Sequence, residues 1–307
     1  MKVAILGAGA LGSVLAGLWS KSGQTVELWG REGPHLRAIG DSGLKLETPE
    51  GIENIPVPIS LVSEAKETPD LIILLTKTPD TETALASVKK HIAAGAKVMT
   101  MQNGIGLPER IAKLVPEDQV LYGTTMLNGR IVAPGHVFTQ GKGDSPFASL
   151  TPAGAVFARR MEILGDAVPL RFSPDADRVI WKKAAFVCGM NPVCALSGGR
   201  IGLMGEVPSA RQLARAISAE AVALAQARGV ALTLEEIHEQ IDSAITHHGQ
   251  HQTSMTQDFA AGRATEIESL NGEVARQCAE RGLDAPLNEA IAALVRLRTK
   301  VVTEKPG

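Results

Sequence analysis

The stretch that decides the fold comes first: MKVAILGAGALGSVLAGLWSKSG, residues 1–23, in which seventeen consecutive residues, Val3 to Trp19, carry no charge. A secretory leader begins in the same way, but its apolar region needs unbroken helix formers followed by a small-residue cleavage site. Here a short β-like run, Val3-Ala4-Ile5-Leu6, gives way to Gly7-x-Gly9-x-x-Gly12, and a helical pattern runs from Ala10 to Lys21. The stretch is read as strand, turn and helix. In that context the three glycines divide the work, with Gly7 making the tight turn, Gly9 letting the backbone approach a pyrophosphate, and Gly12 letting the helix pack on its strand. The N–H groups of Ala10, Leu11 and Gly12 and the positive end of the helix dipole complete an anion cradle. Thr25 to Trp29, TVELW, supplies the second strand of a βαβ unit.

The residue just past that second strand selects the cofactor. An NAD site places an acid there for the ribose hydroxyls, about 20 residues beyond the loop. This chain has Trp29-Gly30-Arg31, with Glu27 inside the strand and Glu32 beyond the arginine. A guanidinium fork pairs with a 2′-phosphate, so NADP is preferred over NAD. The plainer alternative is a solvated loop charge.

Alternation continues with strand-like runs at Leu71–Leu75, Lys97–Met101 and Val120–Thr125, separated by helical patterns at Thr81–Ile92 and Leu107–Leu114. That order defines an α/β fold with a doubly wound parallel sheet. Lys77 and Asn103 fall just past the ends of two of these strands, where ligands of such sheets bind. Taken singly, Lys77 reads equally well as loop charge and Asn103-Gly104 as a turn. Near Arg171 the character changes. Ser173-Pro174-Asp175 reads as a helix start, and helices are expected over Asp175–Leu196, Pro208–Arg228, Thr233–His247, Met255–Arg281 and Asn288–Val302. Two domains follow, residues 1–173 and an all-helical 174–307.

Composition excludes several classes of partner. Lys+Arg 31 against Asp+Glu 33 leaves a net charge of -2 with no block of like charge, so neither nucleic acid nor an anionic membrane is expected. Three cysteines without C-x-x-C spacing argue against a disulfide framework and fit a reducing, cytoplasmic setting. His247-His248-x-x-His251 lacks the acid that would complete a zinc motif, so no metal is expected and the imidazoles are read as lining a solvent-facing loop.

GAGALG (7–12), LLTKT (74–78), MQNGIG (101–106), WKKAAFVCGMNP (181–192) and TSMTQDFAAGRATEIESLNG (253–272) stand in the order and spacing of the ketopantoate reductase (2-dehydropantoate 2-reductase) family, which the chain resembles. The resemblance covers essentially the whole chain. It implies a Rossmann-type domain followed by a helical domain like that of 6-phosphogluconate dehydrogenase, with NADPH and a 2-oxo acid meeting in a cleft. It also admits a homodimer. By the same resemblance Lys183 is the catalytic lysine that protonates the carbonyl oxygen, and Glu266 binds the substrate hydroxyl. Asn103, Asn191 and Ser254 are substrate-side residues, while Lys77 and Arg31 belong to the cofactor site, on which Asn103 also borders.

The chemistry of these residues agrees with those roles. Carbonyl reduction needs a proton donor at the oxygen, and a lysine beside a carboxylate supplies both charge and proton. Lys183 and Asn191, eight residues apart on one expected helix, share a face. Without the resemblance, Glu266 reads as a solvated helix carboxylate paired with Arg263. Two positions depart from the family: Val187 replaces an asparagine one turn after Lys183, and Ile201 replaces another ten residues after Asn191. They open the alternative of a less polar 2-oxo acid, of the kind used by D-2-hydroxy acid dehydrogenases. A non-catalytic NADP-binding sensor is a further alternative, against which Lys183 and Glu266 argue, since a sensor needs neither.

Overall fold

A computed structural model describes residues 1–141, 143–164 and 167–304. Contacts divide the chain into two units: Met1–Gln102 with Leu107–Ala176, and Asn103–Gly106 with Asp177–Gly307.

In chain order the first unit holds β1 (Val3–Leu6), α1 (Ala10–Lys21), β2 (Val26–Gly30), α2 (Pro34–Ser42), β3 (Leu44–Thr48), β4 (Gly51–Ile55), β5 (Ile59–Leu61) and β6 (Leu71–Leu74). It continues with α3 (Thr81–Ser87), α4 (Lys89–Ala93), β7 (Lys97–Thr100), α5 (Leu107–Ala112) and β8 (Val120–Gly123). β9 (Arg130–Ala133), β10 (His136–Phe138), β11 (Ser145–Ser149), α6 (Pro152–Arg160) and β12 (Leu170–Phe172) complete it. The main sheet runs β12-β11-β8-β7-β6-β1-β2-β5, with every pair from β5 to β8 parallel. Both faces are covered. Val3, Ile5, Leu71 and Ile73 pack in one core with Val14 and Leu15 of α1, while Ala4, Leu6, Ile72 and Leu74 pack in another with Leu85, Ile92 and Ile111. Burial on both sides explains why these strands are continuous apolar runs rather than alternating ones.

Two features lie outside the sequence-based expectation. β11 joins β8 antiparallel and carries β12 beside it, so the sheet's edge reverses direction. A second sheet, β4-β3-β10-β9, buries Leu44, Leu46, Ile55 and Val137 in the same core as α1. Gly17 of α1 makes room for it, since a Cβ there would stand 2.8 Å from a Leu44 methyl.

The second unit is helical: α7 (Ala176–Ser197), α8 (Leu203–Glu206), α9 (Pro208–Ala227), α10 (Leu234–His247), α11 (Ser254–Ala260), α12 (Asn271–Glu280) and α13 (Pro286–Thr303). α7 is long and apolar enough to cross a bilayer, but most of it is buried. Ala185, Cys188 and Met190 of α7 share the unit's core with Ile217 and Ala221 of α9. Its approach to α9 is close: a Cβ at Gly189 would fall 2.4 Å from the Ala214 carbonyl oxygen.

Two expected helices are interrupted. Thr81–Ile92 divides at Val88 (φ -108°, ψ 10°) into α3 and α4. Met255–Arg281 is α11, a loop and α12, because Gly262 takes φ +65°, where a helix ends readily only at glycine.

Candidate active site

The first unit builds its site from backbone. Gly7, at φ +128°, turns the chain sharply at the end of β1 while its N–H bonds the Trp29 carbonyl at 2.9 Å. A Cβ on Gly7 would lie 2.7 Å from Leu75 C and Thr76 N, and one on Gly12 would lie 2.0 Å from the Gly7 carbonyl oxygen. Around Gly9 there is open space within 4 Å. α1 begins there without a side-chain cap and without an acid in its first turn. The N–H groups of Ala10, Leu11 and Gly12 therefore stand at an uncapped positive helix end beside open space, which fits a pyrophosphate.

Arg31 follows β2 directly and is 87% exposed, with Nη2 3.1 Å from Asp80 Oδ2. Lys77, also exposed, precedes a 3₁₀ turn, Thr78–Asp80, closed by a 2.9 Å bond from Asp80 N–H to the Lys77 carbonyl. Sequence reasoning missed the residue that fixes this turn. Buried Gln102, at the end of β7, donates from Nε2 to the Thr76 carbonyl (2.7 Å) and to Thr81 Oγ1 (3.1 Å), and its Oε1 accepts from Thr100 Oγ1 at 3.1 Å.

The second unit builds its site from side chains. On α7, Lys183, Val187 and Asn191 recur at four-residue intervals and share a face. Desolvation lowers the Lys183 pKa to about 8, partly opposed by the charge of Glu266. Lys182 points elsewhere, toward the Glu236 carboxylate at 3.8 Å. Asn191 is 7% exposed and its Nδ2 donates to Ser254 Oγ at 3.3 Å. Ser254 opens α11, whose start is capped by Thr253.

Glu266 is not a helix residue. It precedes the 3₁₀ turn Ile267–Ser269 in the loop after α11. Arg263, its partner in the plainer sequence reading, instead directs Nε and Nη2 to Asp258 Oδ1, both at 3.1 Å. Asn103 belongs with this unit. Ile105 is buried in the helical core and donates its N–H to the Ser269 carbonyl at 2.8 Å, which ties the NGIG segment to the Glu266 turn. Gly106 is required there: its φ is +71° and a Cβ would meet Glu273 Oε1 at 2.9 Å.

Beneath the site lies a buried polar chain that sequence reasoning also missed. Asn271 Nδ2 donates to the Cys188 carbonyl of α7 and to Asn288 Oδ1, each at 2.9 Å. Asn288 Nδ2 reaches Glu220 Oε2 at 2.7 Å, and Glu220 accepts the Leu287 and Asn288 N–H groups at 2.9 and 2.8 Å. A carboxylate from α9 thus caps α13, which has no side-chain cap of its own. Val187 and Ile201 are 8% and 4% exposed and belong to the apolar core. His247, His248 and His251 are exposed, and among the described residues no three His, Cys, Asp or Glu side chains gather as a metal-holding group. Cys188, Cys194 and Cys278 are buried and free.

A glycine cradle under an uncapped helix, and in the other unit a lysine of lowered pKa influenced by a carboxylate, fit a nicotinamide-dependent oxidoreductase. The model of the ketopantoate reductase PanE/ApbA family matches residues 3–151 and that of its C-terminal domain residues 175–299; the chain belongs to this family. A 2-dehydropantoate 2-reductase from Halobacterium salinarum is 30% identical over 306 residues, covering 97% of this chain and 98% of its own length. One from Streptococcus pyogenes is 31% identical over 305 residues, covering 98% and 99%. Among solved structures, D-mandelate dehydrogenase with NADH and anilino(oxo)acetate is similar at TM-score 0.93 and 28% identity, covering 98% of this chain and 99% of that one. The PanE/ApbA family ketopantoate reductase from Ralstonia eutropha is similar at TM-score 0.89 and 30% identity, covering 99% and 100%.

Proposed function

We propose that the chain reduces 2-dehydropantoate to pantoate with NADPH, residues 1–173 holding the cofactor and residues 174–307 carrying the acid chemistry. The observation that carries this reading is Lys183, whose pKa of about 8 lets the amine be charged at neutral pH and still give up its proton readily. When bound, the reduced nicotinamide supplies the hydride. Lys183 polarises the carbonyl oxygen and protonates it as that oxygen gains charge. Glu266 holds the substrate hydroxyl and favours the charged form of Lys183. Asn191, Ser254 and Asn103 orient the acid. Gly7, Gly9, Ala10, Leu11 and Gly12 receive the pyrophosphate, Lys77 lines the cofactor cleft, and Arg31 takes the 2′-phosphate. Asn103 also borders the cofactor. NADPH oxidation measured over a panel of 2-oxo acids tests the reading, which fails if 2-dehydropantoate is not turned over.

A second reading, a reductase of a less polar 2-oxo acid, is favoured by Val187 and Ile201, apolar and buried where the family resemblance places asparagines. The likeness to D-mandelate dehydrogenase supports it. The same panel separates the two: 2-oxoisovalerate or an aromatic 2-oxo acid then outruns 2-dehydropantoate.

A further inference from the structure

Arg31 already has a partner, and that partner is an acid. β2 and β6 flank β1 in the sheet. Both run parallel to β1, whose end leads into the Gly7–Gly12 turn, and the Arg31–Asp80 ion pair, 3.1 Å long, joins the residue that follows β2 to the 3₁₀ turn in the segment that follows β6. The two partners are held unequally. Asp80 closes a hydrogen-bonded turn, and the next residue, Thr81, is bound at 3.1 Å by buried Gln102. Arg31 reaches it from an 87% exposed side chain. The acid is the fixed point, and the guanidinium comes to it.

A phosphate monoester carries about -1.5 to -2 charges near neutral pH. On arrival at Arg31 it must displace Asp80 from the guanidinium it needs, whereas a 2′-hydroxyl makes no such demand. We infer that Asp80 is a specificity-determining residue that restrains the preference for the phosphorylated dinucleotide by holding Arg31. This rests on the reading of Arg31 as the 2′-phosphate ligand.

The test is fluorescence titration of the full chain with NADPH and with NADH, using wild type, Asp80→Asn, Arg31→Ala and the double variant. Asp80→Asn should raise the ratio of NADPH to NADH affinity about three- to tenfold at low salt, and most of that gain should vanish near 1 M salt, where screening acts within about 3 Å. In the Arg31→Ala background the same substitution should leave the ratio unchanged. An unchanged ratio in the single variant, or equal tightening of both dinucleotides, overturns the inference. A gain that persists without Arg31 also overturns it, because Asp80 would then act on the phosphate directly. If Arg31→Ala alone leaves NADPH binding intact, it is the NADP reading of Arg31 that fails instead.

Discussion

The two units make their sites by opposite means. In the first, the site is backbone: a Cβ on Gly12 would stand 2.0 Å from a carbonyl oxygen, and the donors are N–H groups that any helix start possesses. In the second, the site is side chains drawn from α7, the start of α11 and the loop before α12, and Lys183 owes its lowered pKa to burial that only the assembled unit provides. Backbone sites are local in sequence and intolerant of added atoms. Side-chain sites are scattered, and each member can be removed without disturbing the others' backbone.

That contrast predicts a clean separation of binding from chemistry, and the largest effects test it. Lys183→Ala should lower kcat by about 10²–10⁴ while NADPH still binds, as loss of a general acid requires. Gly12→Val should do the reverse, abolishing dinucleotide binding measured by titration, since two backbone segments would have to part. If Lys183→Ala also abolishes NADPH binding, or Lys182→Ala is the more damaging, the division of labour is wrong.

Next in size is Glu266→Gln, expected to cost about ten- to a hundredfold in kcat/KM through a weakened hold on the substrate hydroxyl. Its pH profile carries the sharper information. If Lys183 is the proton donor it must be protonated to act, and wild-type reduction should fall as pH rises through about 8. Desolvation lowers that pKa and Glu266 raises it, so removing the carboxylate lowers it further and the alkaline limb moves to lower pH. A limb that stays in place, or moves up, would break the coupling of these two residues. Arg31→Ala comes third: if Arg31 holds the 2′-phosphate, NADPH affinity should fall about ten- to a hundredfold with NADH little affected, because one charge-assisted contact is lost.

What could be read from the sequence follows the same contrast. The parallel strands announce themselves because both faces are buried, as in Leu71–Leu74, which is fully apolar. The second sheet is silent for the opposite reason. β9 is exposed along its whole length, β4 at four of its five residues, and β10 has only three residues. β3 did carry a signal, Leu44 and Leu46 buried around exposed Lys45, bounded by Gly43 and Gly51, but it was short enough to pass for loop. The family resemblance, not periodicity, singled out Glu266. Periodicity placed it on a helix and gave it Arg263, and one glycine at φ +65° undoes both. Gln102, Asn271, Asn288 and Glu220 were not legible at all, since a buried amide or carboxylate looks like surface until the fold supplies its partners.

The smallest expected effect probes the place where the two substrate readings diverge. Val187 lies between Lys183 and Asn191 on α7 and is 8% exposed, packed among the apolar side chains of the helical core. An asparagine there restores the residue that the family resemblance expects, and also places an amide in a largely apolar setting. If Val187 excludes a polar substrate, Val187→Asn should raise kcat/KM on 2-dehydropantoate relative to 2-oxoisovalerate by about two- to tenfold, the worth of one hydrogen bond. The loss of stability should be about 1–3 kcal/mol if the amide finds no partner without substrate, visible as a lower Tm that the polar acid restores in part. A drop in Tm with an unchanged activity ratio assigns Val187 to the core alone. A wild type that already strongly prefers 2-dehydropantoate, with Val187→Asn neutral or harmful on that acid, removes the case for an apolar substrate and leaves the 2-dehydropantoate reading standing.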